Sequence, residues 1–233
     1  MGATGMFANS KKLPHEPIAL STILIVESAL IAAWARLKAS PFREGIFLQK
    51  ENDITRALNE ILSNEIFGNH KGFDEKLFDL PVWEYNVNNY GGRGRDKRPD
   101  FCIHLHNRNP YLRTQDGIFI ECKPVDKSHP VASHYCEKGI TRFLNAEYAW
   151  AMREALMVGY ITGNYTIQPK LLNAINKGKY NNKCEDQSLC EKSKNTSFSE
   201  RIYITKHERN FCYVETKEKA PSITLRHLWL KCD

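Results

Sequence analysis

Two short apolar runs decide how this chain is read. The first is Arg98-Pro99-Asp100-Phe101-Cys102-Ile103-His104-Leu105 and the second is Gly117-Ile118-Phe119-Ile120-Glu121-Cys122-Lys123-Pro124. Between them lies a polar connector carrying Asn107, Asn109 and Pro110, with Gly117 at its end. These are turn formers, so the stretch predicts two strands joined by a turn. Side chains alternate along a strand. Glu121 and Lys123 therefore share a face with Phe119, while Ile118, Ile120 and Cys122 take the other. A carboxylate and an ammonium emerge together at one strand end, and Asp100 stands at the mouth of the neighbouring strand.

Two carboxylates at adjacent strand ends make a hard-oxygen site of the kind that suits Mg²⁺, which takes one or two carboxylates and keeps several waters. The Cys122 backbone carbonyl offers a further ligand. A lysine beside such a site can hold or deprotonate a water, or steady a phosphate oxygen. That is the equipment for metal-assisted phosphodiester hydrolysis. The plainer reading of the same residues is a surface hairpin with a solvated Glu–Lys pair.

Pro99-Asp100 followed by Glu121-x-Lys123 resembles the signature of the PD-(D/E)xK nuclease superfamily, the restriction-endonuclease-like fold. The resemblance covers roughly residues 48–165. It implies an α/β (α+β) fold with a central four- or five-stranded mixed sheet flanked by helices. It also implies catalytic roles for Asp100, Glu121 and Lys123, with Mg²⁺ or Mn²⁺ held by Asp100, Glu121 and the carbonyl of Cys122. An acidic residue on the first core helix often faces the metal in this superfamily, and Glu51 matches that position. Glu60, on the same helix, is the other candidate.

The helix that carries Glu51 is predicted from its spacing. Ile54, Leu58, Ile61 and Leu62 fall at i, i+4, i+7 and i+8, and the helix runs to about Phe67 and stops at Gly68. Glu51 would also complement the positive end of this helix, which is an equal reading of the residue. Downstream, Pro81 to Val87 reads as a strand. It is followed by Gly91-Gly92-Arg93-Gly94-Arg95-Asp96-Lys97-Arg98, which delivers the chain into Asp100. Arg93, Arg95 and Arg98 are candidates to grip a phosphate backbone, against the bland reading of a solvated turn.

After Lys123 the pattern predicts a long helix from about Cys136 to Gly159. Its apolar positions include Ile140, Phe143, Leu144, Tyr148, Met152 and Leu156. Arg142 on it is a further candidate nucleic-acid contact, because the superfamily often uses this helix for the site or the substrate. Tyr148 is expected to pack in the core. A short strand is expected at Gly159–Gly163, a short helix around Lys170–Ile175, and a strand at Arg201–Thr205. Phe211–Val214 is a second candidate strand. Ile223–Leu230 reads as a strand or short helix. Residues 177–199, rich in Lys, Asn and Ser, read as a mobile loop or insertion.

Composition bounds the rest. The chain has 233 residues with a formal net charge of +6, which permits nucleic-acid binding without requiring it. Its hydrophobic content of 42% and charged content of 26% are those of a globular protein able to bury a full core without disulfides. The 7 cysteines contain no Cys-x-x-Cys pair, which argues against a zinc knuckle and for a reducing cytoplasm. Ile18 to Trp34 is largely apolar, but Glu27 interrupts it. A buried helix from about Ser21, as N-cap, to Lys38 is preferred to a membrane anchor.

The sequence thus divides into residues 1–49, an arm and a helix packed on the core, and residues 50–233, the PD-(D/E)xK domain. The expected activity is metal-dependent hydrolysis of nucleic acid, with DNA the expected substrate and no membrane partner. The alternatives are a non-catalytic nucleic-acid-binding or scaffold module of the same fold, or a hydrolase of another phosphoester. Cys136 to Phe143 and Leu225 to Leu230 resemble, in style, small bacterial nucleases of anti-phage defence and mobile-element loci. That implies a regulatory or ATPase partner, since the chain has no P-loop of its own. A homo-oligomer is compatible with the same reading.

Overall fold

A computed structural model describes residues 13–40, 51–90, 97–108, 110–177, 191–192, 202–214 and 216–232. The chain is an α/β fold built on one mixed sheet. In chain order its elements are α1 (Leu20–Ala39), α2 (Glu51–Ile61, closing with a π turn Leu62–Ile66) and β1 (Val82–Trp83). Then come β2 (Phe101–His104), β3 (Gly117–Val125) and α3, which is π-helical over Val131–Ile140 and α-helical over Thr141–Leu144. They are followed by β4 (Glu154–Ile161), α4 (Ile167–Lys177), β5 (Glu191–Lys192), β6 (Ile202–His207) and β7 (Ile223–Lys231).

The sheet has seven strands in the order β1-β2-β3-β4-β7-β6-β5, more than the four or five the resemblance implied. β1, β2 and β3 form an antiparallel meander, and Phe101 pairs with Ile120. β4 lies parallel between β3 and β7, with Lys123 opposite Gly159 and Gly159 opposite Trp229. β7, β6 and β5 are again antiparallel. The central strands read as near-continuous apolar runs because both faces are covered. Seven of the eight residues of β4, Ala155 to Ile161, are buried. Gly159 is required there: a Cβ would lie 2.6 Å from Trp229 Cδ1, so the indole of β7 packs flat on a bare backbone.

Several sequence expectations are corrected. The long helix over 136–159 is three pieces: α3 begins earlier, at Val131, and ends at Leu144, a loop follows, and β4 begins at Glu154. Ala146 and Ala149 adopt positive φ (60° and 52°), which a helix cannot contain. A short apolar run has the same composition in a buried helix and in a buried parallel strand, so spacing alone could not separate them. The strand expected over 81–87 is paired as a strand only at Val82–Trp83. Phe211–Val214 makes only an isolated bridge, Cys212 to Lys219. Ser21 lies inside α1, whose N-cap is Ala19 without a side-chain cap. The polar stretch 177–199 lies outside the described residues except for Lys177, the last residue of α4, and the two residues of β5.

α1 is long and apolar enough to cross a membrane by length and composition, yet half of its most apolar window is buried inside the fold. It packs on α2 and β7 and belongs to the same hydrophobic cluster as the sheet. Trp34 stacks on Tyr160 of β4 with ring centroids 5.5 Å apart, and its indole N–H donates to the Lys231 carbonyl. Glu27, in the middle of α1, receives two hydrogen bonds from Arg226 of β7, and both side chains are buried. The charge that interrupts the apolar segment is therefore an internal ion pair.

Candidate active site

The C-terminal half of β3 carries the site. In the antiparallel pairing of β2 with β3, Cys102 faces Phe119, so the alternation places Asp100 on the same face as Glu121 and Lys123. Lys123 Nζ is the hub of the group. It lies 2.7 Å from Glu51 Oε1, 2.7 Å from Glu121 Oε1 and 3.9 Å from Asp100 Oδ2. It also donates to the Cys122 carbonyl at 2.6 Å. Asp100 is fixed from the backbone, its Oδ2 accepting from the Cys122 N–H at 2.6 Å. The Glu84 N–H in turn donates to the Asp100 carbonyl at 3.1 Å, which ties the mouth of β2 to the end of β1.

Glu51 reaches the group from the first turn of α2, and a chain of hydroxyls places that turn. Thr55 donates its hydroxyl hydrogen to the Glu51 carbonyl at 2.8 Å. Its oxygen is then left to accept from Tyr160 at 3.1 Å, so the buried β4 tyrosine is the donor. Tyr160 also meets the Cys122 thiol. Glu60, the other acidic candidate, pairs with Arg56 on the exposed face of α2 and takes no part.

Glu121 is the most enclosed member. Tyr148 donates its hydroxyl to Oε2, and Arg142 Nη1 lies 3.1 Å from Oε1. Arg142, expected to touch nucleic acid, is thus engaged on a carboxylate of the site. Tyr148 is buried as expected, but it is also a polar partner of the site, a role the helical spacing did not reveal. Arg98 lies at the surface, 3.6 Å from Glu84. Arg93 and Arg95 lie outside the described residues.

Burial dominates the electrostatics of the cluster. Burial, and then the neighbouring Glu121, push the Asp100 carboxyl up to about 8, against the opposing pull of Lys123 and the Cys122 N–H. Burial likewise raises Glu121 despite Lys123 and Arg142. For Lys123, burial works against the charge, but Glu121, Asp100 and Glu51 outweigh it and raise its pKa, so the amine stays protonated at neutral pH.

Among the described residues no group of three or more His, Cys, Asp or Glu side chains is arranged to hold a metal ion. Mg²⁺ does not need three, since one or two carboxylates and waters suffice. Asp100 and Glu121 fit that requirement on two observations. Their carboxyls favour added positive charge, and the buried Glu121 Oε1 has ion-pair neighbours but no aligned hydrogen bond. The Cys122 carbonyl, expected as a third ligand, takes the Lys123 ammonium in this arrangement. Comparisons of the chain with protein-family models, with curated proteins and with solved structures each return no match.

Proposed function

We propose that this chain is a metal-dependent nuclease of the restriction-endonuclease-like type, hydrolysing phosphodiester bonds of nucleic acid, with DNA the leading substrate. One observation carries the reading. Asp100, Glu121 and Lys123, spaced as a Pro-Asp and Glu-x-Lys pair, converge at adjacent strand ends together with Glu51 from the first core helix. Asp100 and Glu121 would hold Mg²⁺ or Mn²⁺. When bound, the metal supplies a lowered water pKa and a positive counter to the charge on the phosphoryl oxygens.

The chain's own residues then divide the work. Lys123, kept protonated by its carboxylate neighbours, acts as a hydrogen-bond donor that orients the attacking water or a phosphate oxygen; it is not the base. Glu51, less enclosed than Glu121 and in contact with the same ammonium, is placed to accept the proton of that water. Tyr148 and Arg142 position Glu121. Arg98, and with it Arg93 and Arg95, would hold backbone phosphates without reading sequence. The test is nicking of supercoiled plasmid DNA, with a matched single-stranded RNA, in Mg²⁺, in Mn²⁺ and in chelator. Metal-dependent nicking supports the reading, and its absence on both substrates removes it.

A second reading, a nucleic-acid-binding module without catalysis, is favoured by one feature. Glu121 is already covered by Lys123, Arg142 and Tyr148, so the cluster can stand closed without a metal. Binding of nucleic acid with no cleavage in either metal would select it.

A further inference from the structure

The described residues contain a cleft of about 570 Å³ at the opposite end of β2 and β3 from the carboxylate cluster. Its walls include Tyr85, His104, His106, Arg113 and Thr114, and Arg108 lies on Asp116 at its base. The volume falls within the range of small-ligand sites. β2 links the two places. Asp100 and His104 are separated by an even number of residues and so share one face of the sheet, about 13 Å apart along the strand.

Hydrogen-bond roles assign the chemistry of the walls. Each guanidinium nitrogen of Arg108 is engaged: Nε donates to both Asp116 oxygens at 3.1 Å, and Nη1 and Nη2 donate to the Pro17 and Glu16 carbonyls at 3.2 and 2.5 Å. It closes the base of the cleft and neutralises the buried Asp116. His106 faces an acceptor from each ring nitrogen, the Glu75 carbonyl at 2.8 Å and Asp79 Oδ1 at 2.6 Å. The Asp79 hydrogen bond, with the Glu75 carbonyl on the other side, raises the His106 pKa above its ordinary value, and both ring nitrogens are engaged on these partners. His104 Nδ1 lies 3.0 Å from the Asp116 carbonyl, which can only accept. Its Nε2 is then free of hydrogen in the neutral ring and has only the Cys102 sulfur, at 3.8 Å, beside it.

Three groups in this cleft have no hydrogen-bond or ionic partner among the described residues: the Arg113 guanidinium, the Tyr85 hydroxyl and the Thr114 hydroxyl. The Tyr85 ring stands edge-on to His104 at 4.9 Å, which leaves an aromatic surface in the wall. An unspent guanidinium suits an oxyanion. An aromatic wall with hydroxyls and an imidazole acceptor suits a planar ring with polar edges. A bare oxyanion would leave most of this volume empty.

We propose that the cleft binds a nucleoside monophosphate unit, its phosphate on Arg113 and its base against Tyr85 and His104. The unit is either a free mononucleotide or the phosphorylated end of a nucleic-acid strand. The second source rests on the nuclease reading, because a strand lying on this face would extend from Asp100 towards the cleft.

The test is calorimetric titration of the full, metal-free chain with AMP, GMP, CMP and UMP separately, with inorganic phosphate, and with a 5′-phosphorylated single-stranded oligonucleotide. The expected result is one-to-one binding of at least one mononucleotide, tighter than inorganic phosphate. Arg113→Ala and Arg113→Gln should each weaken it by about tenfold. Arg113 is exposed, so the fold should survive, and circular dichroism checks it. Arg56→Ala, on the exposed face of α2, should change nothing. An oligonucleotide that binds tighter than its mononucleotide, with the same loss in the Arg113 variants, assigns the cleft to a strand end. Equal or weaker binding assigns it to a free nucleotide. The proposal is overturned if no mononucleotide or oligonucleotide saturates, if inorganic phosphate binds as tightly as every mononucleotide, or if the Arg113 variants bind unchanged. No cleavage is read, so failure of the nuclease reading leaves this result intact, and the converse also holds.

Discussion

Removing Glu27 should destabilise the whole fold, although the residue is far from the carboxylate cluster in sequence and sits in the most apolar helix. Its carboxylate takes two hydrogen bonds from Arg226 on β7, and the pair is buried, at 1% and 4% exposure. Glu27→Ala leaves a guanidinium in the core without a counter-charge. Breaking one side of such a pair costs about 3–5 kcal/mol. With a urea slope of about 2–3 kcal/mol/M for a domain of this size, the midpoint should fall by roughly 1–2 M. Replacing both partners, as Glu27→Leu with Arg226→Met, removes the charge and its partner together. It should restore most of that loss, because well-packed apolar replacements of buried pairs are often neutral or better. The assay is urea unfolding followed by tryptophan fluorescence for the two single variants and the double. A cost below about 1 kcal/mol for Glu27→Ala, with no coupling to Arg226, would refute the reasoning. It would mean that α1 is not an integral core helix and would reopen the membrane-anchor reading of its sequence.

Three further outcomes follow from the same geometry. Lys123→Met should lower the single-turnover cleavage rate by about 10²–10⁴-fold, while Mg²⁺ or Mn²⁺ affinity measured by calorimetry holds or rises, since an ammonium is not a ligand; joint collapse of both would make Lys123 structural. Tyr148→Phe leaves a buried Glu121 oxygen without its donor and should cost about 1–3 kcal/mol in urea unfolding, with a slower cleavage step; an unchanged stability would show that the hydroxyl is not bonded in solution. Burial pushes His207 down to about 4 from its ordinary 6.5, so the folded chain binds fewer protons than the unfolded one. Stability should therefore be full above pH 6.5 and fall as pH drops towards 4, by about 2 kcal/mol between pH 6.5 and 5 from this residue alone. His207→Gln should flatten that fall, and an identical pH profile would contradict the assignment.

The part of the site that lies in one strand pair was legible from the sequence, because strand alternation is strictly local. Glu121 and Lys123 had to share a face, and Pro99-Asp100 had to open the neighbouring strand. Glu51 could be named because a helix start has its own signals, and the residue lies on α2. What stayed hidden is non-local. Tyr148 was read as helical and apolar because its spacing continued the pattern of α3. In fact it follows the helix, near two alanines at positive φ, and its hydroxyl reaches back to β3. Residues 154–159 of β4 were absorbed into the same helix, since a parallel strand covered on both faces carries no alternation to betray it. Arg142 was placed on nucleic acid by its position, because the superfamily the chain resembles often uses that helix for the site or the substrate. Only the packing of α3 against β3 shows that it is spent on Glu121. The π-helical geometry of α3 over Val131–Ile140 likewise has no signature in residue spacing.

The most direct measurement of the central claim is single-turnover cleavage of a labelled DNA duplex by the wild-type chain, Asp100→Asn and Glu121→Gln, each titrated with Mg²⁺ and Mn²⁺. Both substitutions keep the side-chain shape and remove the charge. The account predicts metal-dependent cleavage by the wild type. It predicts a rate at least about 10²-fold lower for each variant at any metal concentration, with both variants folded. Wild-type cleavage that persists in chelator, or a folded Glu121→Gln variant that cuts at the wild-type rate, would contradict it.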